Sequence, residues 1–343
     1  MDAWNGPHDE RWDAAQAALA ESGITDGLPV VPPTRERVDT MLRMSGVDTS
    51  QPLATLPPAY AEVTWRDAAI NAVMAGCAPQ YLPVVGAAVT AMAATEFNLL
   101  GISTTTGSAT VCVIVNGPIA REIGMNSGAN AFGPGNRANA TIGRAVRLTL
   151  QNVGGARAGE IDMATLGQPA KYTFAFAENE AESPWPPLHV ERGFDRAAGV
   201  VTVAGISGTI EVVDSESRTA EDLAQTFAQS MLIAGNVGGA GLLGGGESLI
   251  VMPPEHADAF ARAGCSKAQT KALIYERALL AIDRLAPCLR ERAVASGAAR
   301  DGYLRVARKP DDVMIVVAGG VGRKAAYVPT WSGTTKAVSR AVF

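Results

Sequence analysis

Between Gly124 and Arg144 the chain reads GMNSGANAFGPGNRANATIGR, a dense cluster of amide, hydroxyl and guanidinium groups. Free backbone N–H groups in a glycine-rich loop that opens a helix favour an anion. Arg137 and Arg144 add guanidinium forks shaped for a carboxylate or phosphate. Asn126, Ser127, Asn130 and Asn139 carry side chains that could orient a polar substrate. The competing reading is an elaborate turn whose asparagines and glycines occupy left-handed conformations.

Two other segments could complete such a site. Cys77 lies in Ala75-Gly76-Cys77-Ala78-Pro79, just before a helix expected to begin at Pro79. A thiol at a helix N-terminus is shifted towards thiolate, which suits a nucleophile or redox centre. A lone cysteine is also commonly a small buried hydrophobe. Residues 171–192, KYTFAFAENEAESPWPPLHVER, place Glu178, Glu180 and Glu182 at alternate positions, on one face of an extended chain. With His189 behind them, these carboxylates suit general acid–base chemistry or a hard metal. The plainer alternative is a solvated acidic edge. His256, in Pro254-Glu255-His256, reads as a surface residue, and His8 falls in a polar terminus.

Several chemistries are not legible. Gly239-Ala240-Gly241-Leu242-Leu243-Gly244 matches GxGxxG, but a helix precedes it and a strand follows, the reverse of a dinucleotide fingerprint. No nicotinamide or flavin motif, Walker A loop or GxSxG elbow occurs, so the cofactor is unknown. The four cysteines show no CxxC or CxH spacing for zinc or a redox dithiol. Whether a metal takes part is open.

The elements that must position these residues are those of an α/β protein with mixed sheets and helices. Helices are expected over 9–23, from Thr34 to about Met44, over 66–75, from Pro79 to about Ala94 and from about Ala138 to Asn152. In the second half they are expected over 222–234, from Pro253 to about Ala263 and from the capping box Ser266-Lys267-Ala268-Gln269 to about Leu285. Apolar runs at 111–115, 248–252 and 313–317 read as buried strands that break into Gly or Pro. This echo fits two related α/β halves or the ordinary strand-to-helix grammar of such folds. The chain divides into N-terminal helices and linker (1–60), a half carrying the Gly/Asn-rich loop (61–195) and a second half (196–343).

Bulk properties narrow the function classes. The 343 residues are 47% hydrophobic and only 18% charged, with 36 glycines, which points to tight loops and close backbone approaches. A net charge of −5 without a basic stretch argues against nucleic acid. Apolar runs are broken well before the roughly 18 residues of a membrane span. The polar, acidic N-terminus does not resemble a secretion signal. A cytoplasmic location with reduced thiols is the simplest expectation.

Four blocks, TDGLPVVPPT (25–34), AINAVMAGCAPQYLPVV (69–85), NSGANAFGPGNRANATIGRAVRL (126–148) and GQPAKYTFAFAENEAESPWPPLHVERGF (167–194), resemble a bacterial family associated with UGSC-type selenoproteins. The resemblance covers most of the chain. It implies thiol or selenol redox chemistry and a redox partner protein. The chain has no selenocysteine and no UGSC or CGSC tetrad, so that chemistry passes to no matched residue here.

The expectation is an enzyme for a small anionic or carboxylate-bearing substrate. Arg137 and Arg144 would hold the anion while Asn126, Ser127, Asn130 and Asn139 orient it. Catalysis would come from Cys77 as nucleophile or redox centre, or from Glu178 and His189 in a lyase or hydratase. The alternative is a non-catalytic subunit. A homo-oligomer is expected in either case.

Overall fold

The computed structural model describes residues 10–232, 247–305, 307–331 and 334–342. The GxGxxG run and His8 lie outside them. Helix α1 (Glu10–Glu21) is followed by α2 (Arg35–Ser45), where the Thr34 hydroxyl accepts from the Arg37 N–H and Gly46, at φ 73°, ends the helix. The linker expected before residue 60 contributes a strand, β1 (Ala54–Leu56), which forms a short hairpin with β2 (Ala61–Val63) beyond it. A Thr64–Asp67 capping box opens α3 (Trp65–Ala75), and Gly76 at φ 87° closes it. A 3-10 turn at Pro79–Tyr81 leads into α4 (Leu82–Met92), which is buried almost all round, and then α5 (Leu99–Thr104).

The first half continues with β3 (Thr110–Asn116), α6 (Pro118–Glu122), α7 (Arg137–Asn152), β4 (Ala175–Ala177), α8 (Leu188–Glu191), β5 (Val200–Ile206) and β6 (Ile210–Val213). The second half has α9 (Ala220–Leu232), β7 (Ser248–Met252), α10 (Pro254–Arg262) and α11 (Lys267–Arg277). The Ser266–Gln269 capping box forms as read from the sequence. Its helix stops at Arg277, short of Leu285, because β8 (Leu279–Ala281) pairs antiparallel with β9 (Tyr303–Arg305) around α12 (Pro287–Ala295). The chain ends with β10 (Val313–Val317), β11 (Lys324–Val328) and β12 (Val338–Ala341).

Eight of these strands build two four-stranded sheets, in the orders β12-β5-β3-β4 and β10-β7-β11-β6. The sheets share one plan. A parallel pair (β3 with β4, β7 with β10) is flanked on one side by an antiparallel strand (β5, β11), which carries a second antiparallel strand (β12, β6). The echo in the sequence is therefore a repeated topology. The fourth strands are exchanged: β6 follows β5 in the chain but pairs with β11, and β12 follows β11 but pairs with β5. The two crossing segments bond to each other, with Ser207 N–H on the Pro329 carbonyl at 2.9 Å and Trp331 N–H on the Gly205 carbonyl at 3.0 Å. The division at 195/196 consequently does not coincide with sheet membership, since β5 and β12 complete the sheet begun by β3 and β4.

Alternation along the strands explains why the sheets stack. In β3, Val111, Val113 and Val115 face α3, α4 and α7, while Cys112 and Ile114 face the other sheet. In β10, Val313, Ile315 and Val317 join the core with α9, α10 and α11, while Met314 and Val316 point back towards the first sheet. The result is four layers, helix–sheet–sheet–helix, with three apolar cores between them. Strands buried on both faces read as continuous apolar runs, which is how they announced themselves.

Among the described residues no single helix is long and apolar enough to cross a membrane. The bent pair Pro79–Met92 and Thr95–Thr104 meets the length and composition test together, at 78°, but α4 is enclosed by the first core. Phe176 is fully buried between the sheets, its ring edge-on to Phe132 at 4.8 Å. Phe176→Ala is expected to cost about 3–5 kcal/mol in urea denaturation, the range for emptying a large core site. A loss well under 1 kcal/mol would contradict this sheet-on-sheet packing.

Candidate functional site

The amides of the 124–144 segment turn inward. Asn136 caps α7 by accepting from the Asn139 N–H and donates to the Gly124 carbonyl at 2.8 Å. Asn139 is buried; it accepts from the Asn126 N–H and donates to the carbonyls of Asn126 and Ala131. Asn126 holds Ala129 and Gly128, and Asn130, at φ 60°, donates to the Pro134 carbonyl. The Ser127 carbonyl accepts from Gly319 N–H at 2.8 Å, and a Cβ on Gly320 would meet Ala129 at 2.7 Å. The substrate-orienting roles expected of Asn126, Asn130 and Asn139 are thus replaced by loop-building ones, because the loop's own polar backbone needs these partners. The loop is a seam between the halves.

The arginines separate. Arg144 is occupied: its Nε and NH2 bind the Asp26 carboxylate at 2.7 and 2.8 Å, and NH2 also reaches the Leu28 and Pro29 carbonyls. It clamps the Pro-rich segment onto α7 and has no free fork for an external anion. Arg137 gives only its Nε, to the Gly76 carbonyl at 2.9 Å, and lines a cavity of about 330 Å³ with Cys77 and Arg37.

Cys77 and Arg137 therefore come together, but the thiol is not activated. It is buried and donates to the Thr141 carbonyl at 3.3 Å. Burial pushes its pKa up to about 12, outweighing that hydrogen bond and the nearby Arg137 and Arg144 charges. The expectation of a thiolate at a helix start fails because desolvation dominates. Cys112, in the inter-sheet core, is raised for the same reason.

The acidic segment runs from the interior to the surface: Glu178 is buried, Glu180 half-buried and Glu182 exposed, so only Glu182 lies on a solvated edge. Glu178, directly beyond the C-terminal end of β4, and His189, on α8, are both buried. The Asn116 amide donates to Glu178 Oε2 at 2.6 Å and to Glu180 Oε1 at 3.1 Å. Glu178 Oε2 also accepts from Leu188 N–H at 2.8 Å, and Glu180 Oε1 from Gly117 N–H at 2.6 Å. Gly117 permits this approach: at φ 81° its missing Cβ would lie 2.0 Å from the Ala198 carbonyl oxygen. His189 Nε2 faces the Arg196 carbonyl at 3.3 Å, and Nδ1 lies 3.7 Å from Glu180 Oε1. A carbonyl only accepts, so the neutral ring carries its proton on Nε2 and presents Nδ1 as a base. Glu182 takes no part in this cluster; it accepts from the Asn179 amide.

Burial raises the Glu178 pKa, and the partial relief from Lys267, Leu188 N–H and Asn116 does not offset it. Three buried polar atoms here, Glu178 Oε1, His189 Nδ1 and Asn116 Oδ1, have no hydrogen-bond partner among the described residues. The second half adds two buried lysines from the first turns of α11. Lys267 lies 2.9 Å from Glu191 Oε2, and Lys271 pairs with the same carboxylate. The 178–191 segment reaches across to them, anchored by Trp185 in the second half's core. It also bridges the sheets through Asn179 N–H on the Val317 carbonyl at 2.7 Å.

Asn116, Lys267 and Lys271 escaped the sequence reading. An asparagine closing an apolar strand, directly before Gly-Pro, was the one available signal; two lysines on a capped helix carried none. His256, read as a surface residue, is fully buried, with Nε2 3.0 Å from the Asp214 carbonyl and its ring edge-on to Phe227. Among the described residues no group of three or more His, Cys, Asp or Glu side chains could hold a metal ion. Comparisons with protein-family models, curated proteins and solved structures find no significant match to this chain.

Two outcomes follow from these environments. Exposed Cys288 should react with iodoacetamide in the native protein while Cys77 stays unmodified, as read by peptide mass spectrometry; rapid native labelling of Cys77 would contradict a buried, protonated thiol. Glu178 binds its proton more tightly folded than unfolded. Its stabilising contribution is complete below the unfolded carboxyl pKa and is lost as pH rises through the folded value. Glu178→Gln should therefore lose less stability than the parent between about pH 5 and pH 8, measured by urea denaturation. Parallel curves for the two proteins would refute the raised pKa.

Proposed function

We propose that the protein is an enzyme of lyase or hydratase type that moves protons on a small carboxylate-bearing substrate, with Glu178 as general acid and His189 as general base. The observation that carries this reading is the buried cluster itself. A carboxyl whose proton is held more tightly because of burial and an imidazole nitrogen with no hydrogen-bond partner among the described residues lie on the same Asn116–Glu180 scaffold. Two titratable groups in contrasting environments are the usual basis for acid and base roles. The position agrees with it, since α/β proteins bind ligands beyond the carboxyl ends of their parallel strands. Lys267 and Lys271, two cations against the single Glu191 carboxylate, favour a negatively charged substrate.

In the elimination direction, His189 Nδ1 takes the proton from the carbon next to the substrate carboxylate. The C–H electron pair becomes the new double bond, and Glu178 protonates the departing hydroxyl, which leaves as water. A proton then returns from His189 to Glu178 before the next turnover. Asn116 orients the Glu178 carboxyl, and Glu180, whose side chain is 25% exposed, links the cluster to the surface. The thiol route is less well supported, since a thiol with a pKa of about 12 is protonated at neutral pH.

The test is proton exchange. Incubated in D2O with a panel of small 2- and 3-hydroxy acids and the matching enoates, the full chain is expected to introduce deuterium beside the carboxylate of one of them, as seen by NMR. Glu178→Gln should lower that exchange by about 10²-fold or more, as general acid–base catalysis requires. Parent protein exchanging no faster than Glu178→Gln on every compound would sink the proposal.

A further inference from the structure

A second cavity, of about 560 Å³, lies at the other end of β4 from Glu178, between the C-terminal half of α7, the 157–162 turn and the 3-10 turn at Pro169–Lys171. Nothing in the proposed reaction uses it. On one wall two cations share one carboxylate: Arg147 NH2 lies 2.9 Å from Asp162 Oδ2, and Lys171 Nζ lies 2.6 and 2.7 Å from the two Asp162 oxygens. Asp26, also on the wall, is already committed to Arg144. Arg157 lines the same space, and its guanidinium has no hydrogen bond or ion pair among the described residues. Counting Glu160 at the rim, Arg144, Arg147, Arg157 and Lys171 stand against Asp26, Glu160 and Asp162. One positive charge is left over.

The two cations paired with Asp162 are poorly hydrated. Arg147 and Lys171 are mostly enclosed, and burial lowers both of their pKa values, so each would gain from a further anion. Two exposed apolar side chains line the same cavity, Leu166 at 94% exposed and Tyr172 half-exposed. A cavity lined by these cations together with an uncovered leucine and tyrosine matches a ligand with one anionic end and an apolar body.

We propose that this cavity is a binding site for a small organic carboxylate. Its carboxylate sits between Arg157, Arg147 and Lys171, and its apolar body rests on Leu166 and Tyr172. The site is independent of the proposed acid–base cluster. Lys171 and Glu178 lie beyond opposite ends of β4, whose three residues span roughly 10 Å.

Isothermal titration calorimetry of the full chain with hexanoate, phenylacetate, succinate and inorganic phosphate tests it. Hexanoate or phenylacetate should bind more tightly than succinate or phosphate. Arg157→Gln, at an exposed position, should weaken that binding by about tenfold, the worth of one charge-assisted hydrogen bond. Leu166→Ser should weaken the monocarboxylates and leave phosphate unchanged, and Glu178→Gln should bind them like the parent protein. No heat from either monocarboxylate, affinity unmoved by both Arg157→Gln and Leu166→Ser, or phosphate binding as tightly as hexanoate would each overturn the proposal.

Discussion

Where the two halves of the chain cross, Ser207 and Trp331 donate their backbone N–H groups to Pro329 and Gly205. These bonds lie at the point where each half hands its last strand to the other's sheet, and the rest of the architecture depends on that exchange. With β6 on the second sheet and β12 on the first, neither sheet is complete without both halves. The middle core then has no interface to open, because the strands on either side of it are continuous with one another.

The exchange also decides where chemistry can sit. It brings the carboxyl ends of the two parallel pairs into register across the middle layer, so that Asn179 bonds to Val317 and Gly319 to Ser127. The segment after β4 leaves its own sheet, inserts Trp185 into the other half's core and returns through α8. Glu178, Glu180 and His189 are carried on that segment, and the lysines facing it start a helix of the second half. A polar cluster buried at such a junction needs support from several directions. Asn116, Gly117 N–H and Leu188 N–H supply it, while Asn116 Oδ1, Glu178 Oε1 and His189 Nδ1 have no partner among the described residues.

Burial is the common cause of the differences between Cys77 and Glu178. Each loses hydration, and each has its neutral form favoured. For the thiol this removes the reactive species, since thiolate is the nucleophile. For the carboxyl it preserves a transferable proton at a pH where an exposed glutamate would have released it. The same environment thus argues against one chemistry and for the other.

Elements with local causes are legible in the residues alone. The capped starts of α2 and α11, the glycine stops after α2 and α3, and the doubly buried strands β3, β7 and β10 follow from residue type and spacing alone. Residue order alone also places Glu178 and His189 on one short segment. Strands β5, β6, β11 and β12 were not legible, because their partners lie far away in the chain and their pairing, not their propensity, defines them. Nor could local pattern tell which polar groups would be consumed by neighbours. The Gly/Asn loop looked like an open anion cradle until Asn139 and Asn126 were seen satisfying its own backbone and Asp26 was seen on Arg144. Hydrogen-bond partners and desolvation are properties of three-dimensional surroundings, so which candidate groups remain free to act is set by the folded chain and not by local pattern.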